Sequence, residues 1–203
     1  RRRGADGGAH ARACHAVTDF TVDGRTMGGS RSALARLARG LPGVGCLLRP
    51  PLPAAPRVDV DRFMGAWYVL AAIPTPLERC AHNAVECYRR LSDGSVEVRY
   101  RFRAGAADGP YLELGARARV EDPATGARWS ISFLPGLWLD YRILHVDPAG
   151  DLAVVGRAAR DHLWILGRTP ELAPVRLGRL LPLLTAAGYD PDRLRHVPQR
   201  WTR

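Results

Sequence analysis

The stretch Val58-Asp59-Val60-Asp61-Arg62-Phe63-Met64-Gly65-Ala66-Trp67-Tyr68 predicts a short, acid-capped helical turn that leads into a first β-strand. About a hundred residues later, Leu163-Trp164-Ile165-Leu166-Gly167-Arg168 predicts another apolar strand that ends in a basic residue. Closing a sheet of short strands into a barrel removes its exposed edges. If these segments are the first and last strands, they must meet, and Trp67 and Arg168 would mark the seam.

The sequence between these two strands alternates between short strands and turn signals. Turn-forming sequences such as Ser92-Asp93-Gly94 separate strands that we predict at about residues 65–73, 83–91, 95–103, 111–121, 128–133, 141–146, 152–156 and 162–168. The strand at 95–103 alternates strictly between apolar and charged side chains. Sequential strands with short connections tend to be neighbours, so we predict an all-β fold, an eight-stranded antiparallel up-and-down β-barrel.

One α-helix is predicted after the eighth strand, packed on the outside of the barrel. Thr169-Pro170 offers a start and Gly188 a stop, with apolar positions between them. An interior proline costs about 3 kcal/mol, so Pro174 and Pro182 predict a late start or a kink near Pro182. Residues 193–197 are compatible with a final short strand.

Positive charge is concentrated at the start of the chain. The formal net charge is +10; residues 1–57 contribute +7 from 10 Arg and 3 Asp, and residues 58–203 contribute the remaining +3. The later part shows no basic stripe with interleaved aromatics, so we expect no nucleic-acid partner. The sequence contains no lysine, which excludes a lysine-dependent phosphate loop and lysine Schiff-base chemistry.

Residues 1–57 are predicted to be an N-terminal extension that acts as a linker or a targeting segment. They are rich in Arg, Gly, Ala and Pro and end in a proline-rich stretch at 50–56 that is typical of an extended linker. A lipoprotein-type cleavage before Cys46, an organelle transit segment and a disordered extension all remain open. No apolar run is long enough to span a bilayer as a helix.

The four cysteines do not indicate a metal or redox site. Cys14, Cys46, Cys80 and Cys87 include no C-x-x-C pair, and whether Cys80 and Cys87 bridge each other stays open. His10, Cys14 and His15 cluster in a segment without a scaffold. We therefore expect no metal and no cofactor.

Several segments taken together carry a family resemblance. Residues 58–68 closely resemble the first signature of the lipocalins, and residues 163–170 are similar to the end of the barrel in the branch of bacterial outer-membrane lipocalins and apolipoprotein D. The segments 130–133, 140–141 and 187–190 are similar to that branch in order and spacing. The resemblance covers residues 58–199 and implies a lipocalin barrel domain whose calyx binds small hydrophobic ligands such as fatty acids, lysophospholipids or similar lipids. For a bacterial protein it implies the outer membrane, the periplasm or secretion, although residues 1–57 lack a clear signal.

The resemblance also implies structural roles for the signature residues Gly65, Trp67, Tyr68, Asp140, Tyr141 and Arg168. Trp67 would plug the closed end of the calyx, and Arg168 would pack across it. A guanidinium over an indole gains about 0.5–2 kcal/mol. The guanidinium donors can also satisfy carbonyls of the short N-terminal turn.

Alternation from an inward Trp67 predicts the lining of the calyx. The predicted ligand-binding residues are Val69, Tyr88, Val96, Val98, Tyr100, Phe102, Leu114, Ala116, Trp129, Ile131, Phe133, Tyr141 and Trp164. Plain core is the alternative for each, because the lower half of an eight-stranded barrel is filled. A buried carboxylate needs a partner or a proton, so inward Glu86 is expected near the mouth or paired with an inward Arg.

We predict a carrier without enzymatic activity, because no catalytic constellation stands out. The alternative is a lipocalin-fold enzyme that acts on a lipid or isoprenoid substrate, for which Glu86 with His145 is the candidate acid–base pair. A third interpretation is a structural protein whose barrel stays empty. Leu137, Trp138 and Leu139 predict an exposed apolar tip that suits a lid, a membrane contact or a partner site such as that of a homodimer.

Overall fold

The computed structural model describes residues 50–201 of the chain. A helical turn, α1 (Val60–Phe63), precedes nine β-strands, with the helix α2 (Pro174–Ala186) between the eighth and ninth. The strands are β1 (Gly65–Ile73), β2 (Ala81–Arg90), β3 (Val96–Ala104), β4 (Tyr111–Val120), β5 (Arg128–Leu134), β6 (Leu137–Val146), β7 (Leu152–Gly156), β8 (Leu163–Gly167) and β9 (Arg195–His196). Within the described residues, no helix is both long and apolar enough to cross a membrane.

The first eight strands close into an antiparallel barrel. Each strand pairs with the next, and β1 pairs with both β2 and β8. The seam predicted from the sequence is present, because Tyr68 lies opposite Gly167 in the β1–β8 ladder. Gly167 leaves room for the Leu70 side chain, since an added Cβ would lie 2.5 Å from Cδ1 of Leu70 and would force that side chain to shift. The predicted eight-stranded up-and-down barrel is therefore confirmed, with β9 as one extra strand beside β1.

The helix α2 covers the outside of the barrel. Leu177, Leu180 and Leu184 are buried in a second apolar cluster that includes outward side chains of β1, β7 and β8. The helix begins at Pro174 instead of Thr169, which confirms the predicted late start, because a proline at the first helical position has no hydrogen bond to lose. Pro182 is accommodated inside the helix.

The proline-rich segment before the barrel packs against it, which differs from the free linker that its composition predicted. Leu52 and Ala55 are buried, and the Ala55 amide donates to the carbonyl of Ile143 on β6 at 2.9 Å. The Arg142 guanidinium donates to the carbonyl of Leu52 at 3.0 Å. An extended backbone suits this docking, because its unpaired carbonyls can accept hydrogen bonds from the barrel. The interpretations that concern Cys46 and the preceding residues lie outside the described range.

The last described residues fill a gap between β1 and β2. β1 and β2 pair only through the first four residues of β1, and β9 pairs with a later part of β1. Asn83, at a bulge of β2 with φ of 51°, exchanges two hydrogen bonds with the backbone of Arg200. The Gln199 side-chain amide donates to the carbonyls of Val69 and Ala84, at 2.9 and 3.1 Å. The C-terminal segment therefore joins the two sides of this gap.

The structure corrects one local expectation and answers one question that the sequence left open. Leu137, Trp138 and Leu139 are the first residues of β6 and not a loop, and Leu139 packs against the core. Cys87 is a free thiol, so it does not bridge Cys80.

Candidate functional site

One end of the barrel is closed by an aromatic floor beneath α1. Phe63 of α1 and Trp67 of β1 are both buried, with ring centroids 5.0 Å apart, and the Trp67 indole donates to the carbonyl of Phe63 at 2.8 Å. Trp129 and Tyr88 contact the same Phe63 ring at 5.7 and 5.1 Å. Asp59 caps α1 by accepting hydrogen bonds from two amides, which orients Phe63 into the barrel.

Arg168 seals this floor from the outer side. Its guanidinium carbon lies 3.7 Å from the centroid of the Trp67 ring, and the group donates to the carbonyls of Arg62, Met64 and Ala66 at 2.6–2.9 Å. These bonds satisfy acceptors that the end of the short helical turn leaves open. The resemblance implied structural roles for Trp67 and Arg168, and these contacts support that prediction.

The other signature residues also have structural contacts. Gly65 has a φ of 94°, which favours glycine where the chain turns from α1 into β1. Tyr68 faces outward, with its ring 5.7 Å from that of Trp201. Asp140 accepts hydrogen bonds from the Arg142 guanidinium at 2.9 Å and from the Ala158 amide at 2.7 Å.

Twelve of the thirteen residues predicted to line the barrel interior lie in its main apolar core or pack against it. Ten are buried in the main core cluster, and Leu114 and Ala116 are partly buried against it. Phe133 is the exception: it is 46% exposed and lies outside this cluster. The pairing of β5 with β6 shifts register between Ile131 and Leu134, so the inward alternation does not extend to Phe133. Burial places the other twelve side chains together, and ligand contact remains a prediction for each.

A polar group sits inside this apolar wall, just above the floor. Glu86 lies opposite Trp67 in the β1–β2 ladder and is 7% exposed. The Tyr88 hydroxyl donates to Glu86 Oε2, and the Tyr141 hydroxyl lies 3.3 Å from the same oxygen and within hydrogen-bonding distance of the Tyr88 hydroxyl. The expectation of an arginine partner or a place at the mouth was wrong, because Glu86 lies opposite Trp67 and its Oε2 accepts from tyrosine hydroxyls.

Burial changes the acid–base properties of this group. Loss of solvation raises the pKa of Glu86 to about 7, and the nearby Glu78 carboxylate adds to the rise, while the tyrosine hydrogen bonds oppose it. Burial also raises the pKa values of Tyr88 and Tyr141 well above the usual range, so both hydroxyls keep their protons. Glu86 is therefore a group of the barrel interior that changes charge near neutral pH.

A second carboxylate reaches the barrel from the connection between β1 and β2. Glu78 is buried, and its two oxygens accept hydrogen bonds from the Trp164 indole and the Thr75 amide, both at 2.9 Å. Glu78 is not among the residues predicted from the sequence, because it lies between strands, where alternation assigns no face. The sequence pattern that could have identified Glu78 is the capping box Thr75-x-x-Glu78.

The opposite end of the barrel has an apolar rim. In an up-and-down barrel, the connections β1–β2, β3–β4 and β5–β6 lie at the end away from α1. Of the eight exposed large hydrophobic residues in the described chain, six lie at these connections: Leu77, Tyr111, Leu112, Phe133, Leu134 and Leu137. Two arginines lie near these apolar residues. Arg79 is exposed next to Glu78, and the guanidinium carbon of Arg103 lies 5.4 Å from the centroid of the Tyr111 ring.

Within residues 50–201, no group of three or more His, Cys, Asp or Glu side chains has the arrangement of a metal site. In that range, no hydrogen bond or ion pair joins Glu86 to His145, the pair that the enzyme alternative requires.

Comparison with known proteins agrees with this architecture. The profile of the lipocalin-like domain matches residues 58–199. The outer membrane lipoprotein Blc of Citrobacter freundii is 27% identical over 146 residues, covering 70% of this chain and 79% of that protein. Apolipoprotein D of Mus musculus is 26% identical over 158 residues, covering 74% and 82% respectively. The structure of insecticyanin from Manduca sexta shares the fold, with a TM-score of 0.58 and 16% identity over 76% of this chain and 86% of that one. A barrel closed by the Trp67–Arg168 floor and a profile match over most of the chain show that this protein belongs to the lipocalin family.

Proposed function

We propose that this protein binds a small hydrophobic molecule inside the barrel, for transport or storage. The observation that carries the proposal is the combination of a sealed floor with a continuous interior wall of apolar and aromatic side chains. Lipocalin relatives, including bacterial lipoproteins and apolipoprotein D, support a role in hydrophobic-ligand binding. Burying an acyl chain in such a wall is favourable by about 0.8 kcal/mol per CH₂.

Native mass spectrometry of the purified protein tests this proposal. We expect a copurifying lipid, or saturable 1:1 binding of an added neutral fluorescent probe such as N-phenyl-1-naphthylamine. Val98→Arg provides a matched variant, because it places a charge on the inner wall of β3, whereas Glu97→Arg changes the neighbouring outward position. Loss of binding in the first variant alone supports an interior site. A protein that binds neither lipid nor probe would instead support the empty-barrel interpretation.

We further propose that binding, and not catalysis, is the activity of the site. The two groups of the enzyme alternative, Glu86 and His145, share no hydrogen bond, and the Glu86 oxygen that accepts is occupied by tyrosine hydroxyls. Incubation with lipid and isoprenoid substrates should leave them unchanged. Turnover that a Glu86→Gln, His145→Ala double variant abolishes would establish the enzyme alternative.

The apolar rim suggests where the ligand is exchanged. We propose that the open end contacts a membrane surface with anionic lipids, because apolar side chains at three connections stand beside Arg79 and Arg103. The lid and homodimer interpretations are the other outcomes of the test given in the Discussion. A location in the cell envelope or outside the cell accords with this contact and with the outer membrane lipoproteins among the relatives. Fractionation of cells that express the natural protein at its own level would check the location.

A further inference from the structure

The buried charged groups that face the barrel interior are carboxylates. Within the described residues, the charged side chains that are buried are Glu78, Glu86 and Arg160. Arg160 does not face the interior, because its guanidinium donates to three backbone carbonyls in the segments packed outside the wall. A ligand inside the barrel therefore meets two carboxyl groups and no buried cation.

One oxygen of Glu86 has no hydrogen bond within the described residues. The two tyrosine hydroxyls are directed to Oε2, and no donor of residues 50–201 reaches Oε1. The surrounding elements present Trp67 from β1, Tyr100 from β3, Tyr141 from β6 and the Glu78 carboxylate from the β1–β2 connection. None of these side chains carries a positive charge, and the Arg168 guanidinium behind the Trp67 ring donates to backbone carbonyls. A cationic group of a ligand would therefore find Oε1 available as an acceptor.

Building on the proposed ligand-binding function, we propose that the barrel prefers a hydrophobic molecule that carries a protonated amine over one of equal length that carries a carboxylate. An ammonium group beside Oε1 would form a charge-assisted hydrogen bond in an environment of low dielectric constant. A second carboxylate would be buried near Glu86 and Glu78 without a cation, and the Tyr88 hydroxyl is already engaged. Among the lipids considered from the sequence, this disfavours free fatty acids.

The pH dependence of binding gives the preference a distinct signature. Because the pKa of Glu86 is raised to about 7, its ionised fraction in the free protein rises about tenfold between pH 6 and pH 8. Affinity for an alkylamine, which stays protonated over this range, should rise by about the same factor. Affinity for the neutral alcohol of the same chain length should change little, since no charge is exchanged.

The test measures displacement of N-phenyl-1-naphthylamine by dodecylamine, dodecanol and dodecanoate, at concentrations below those at which they form micelles. We expect the amine to bind at least about tenfold more tightly than the carboxylate at pH 8. Glu86→Gln should abolish this difference and the pH dependence, while Glu97→Gln, on the outward face of β3, should retain both. The pH profile of the wild-type protein stands as the test if Glu86→Gln fails to fold.

The outcomes separate this inference from the proposed function. Equal affinities for the three ligands, or tighter binding of dodecanoate, would overturn the amine preference and leave hydrophobic-ligand binding intact. A preference for the amine that persists in Glu86→Gln would also overturn the inference, because the charge would then reside elsewhere. Absence of binding by the probe and by all three ligands would overturn the proposed function and the inference together.

Discussion

The guanidinium of Arg168, at the end of the last barrel strand, lies 3.7 Å from the centroid of the Trp67 ring at the start of the first. Arg168 also donates a hydrogen bond to the carbonyl of Ala66, which lies 102 positions earlier in the chain. Their contact therefore reports closure of the whole barrel. The residues of this floor stabilise the fold, whereas the residues nearer the open end of the barrel face its interior.

Replacing Trp67 with Ala should destabilise the protein by about 3–5 kcal/mol, because it removes a fully buried indole and leaves a cavity in the floor. Urea denaturation measures the change. Trp201→Ala is the matched control, since Trp201 is exposed, and it should cost less than about 1 kcal/mol. The folded fraction of Trp67→Ala should keep its ligand preference. A stable Trp67→Ala protein that no longer binds ligand would contradict the assignment of Trp67 to the floor.

Arg168→Lys should lower the free energy of unfolding by about 1–3 kcal/mol. A lysine ammonium cannot stack on the indole and reach three carbonyls at the same time, so the stacking contact and part of the hydrogen bonding are lost. Arg117→Lys, an exposed arginine that pairs with Asp93 at 2.8 Å, should change stability by less than about 0.5 kcal/mol. Equal effects of the two substitutions in denaturation experiments would show that only charge matters at residue 168.

Glu86 should make the folded protein less stable as pH rises from about 4.5 to about 7. Its pKa is raised from 4.5 to about 7, so over this range the folded state binds more protons than the unfolded state, and the free energy of unfolding falls. The full loss is on the order of 3 kcal/mol, reached above pH 7. The free energy of unfolding is measured against pH for the wild type and for Glu86→Gln, and the difference between the two curves isolates the contribution of Glu86. Exposed carboxylates with lowered pKa values change stability in the opposite sense and cancel in this difference. A flat difference profile would show that Glu86 is not desolvated.

Leu134→Asp should weaken binding to vesicles that contain anionic lipids by about tenfold or more, because a charge replaces an exposed apolar side chain on the rim. Val175→Asp is the matched control, since Val175 is equally exposed but lies on α2. Cosedimentation with vesicles measures the effect. If Leu134→Asp leaves vesicle binding unchanged but dissociates a dimer in sedimentation velocity, the rim is a homodimer surface. If it changes only the rate of ligand uptake, the rim acts as a lid.

The barrel was predictable because its signals are local and repeated. Strict alternation at Val96–Ala104 and turn sequences such as Ser92-Asp93-Gly94 identify strands without any tertiary information. Alternation failed at Phe133, where the β5–β6 register shifts, since a bulge depends on the partner strand and leaves no periodic trace. The proline-rich segment was misjudged for a related reason: composition predicts an extended backbone, but only the finished wall shows that Leu52 has a surface to cover.

The polar interior was only half predictable. Alternation placed Glu86 inward correctly, but its partners come from Tyr88 on the same strand and from Tyr141 on a strand far away in sequence. The general rule that a buried carboxylate needs a partner suggested arginine. Two hydroxyls serve instead, because they donate hydrogen bonds without adding a buried positive charge.

The hydrogen bonds of Gln199 to Val69 and Ala84 have a consequence for the order of events during synthesis. β1 and β2 leave the ribosome before the segment that joins their upper parts has been made. A nascent chain that has reached only β8 can form the β1–β8 ladder while the gap between β1 and β2 still exposes unpaired strand edges. The barrel is therefore sealed only after the residues following β9 have been released.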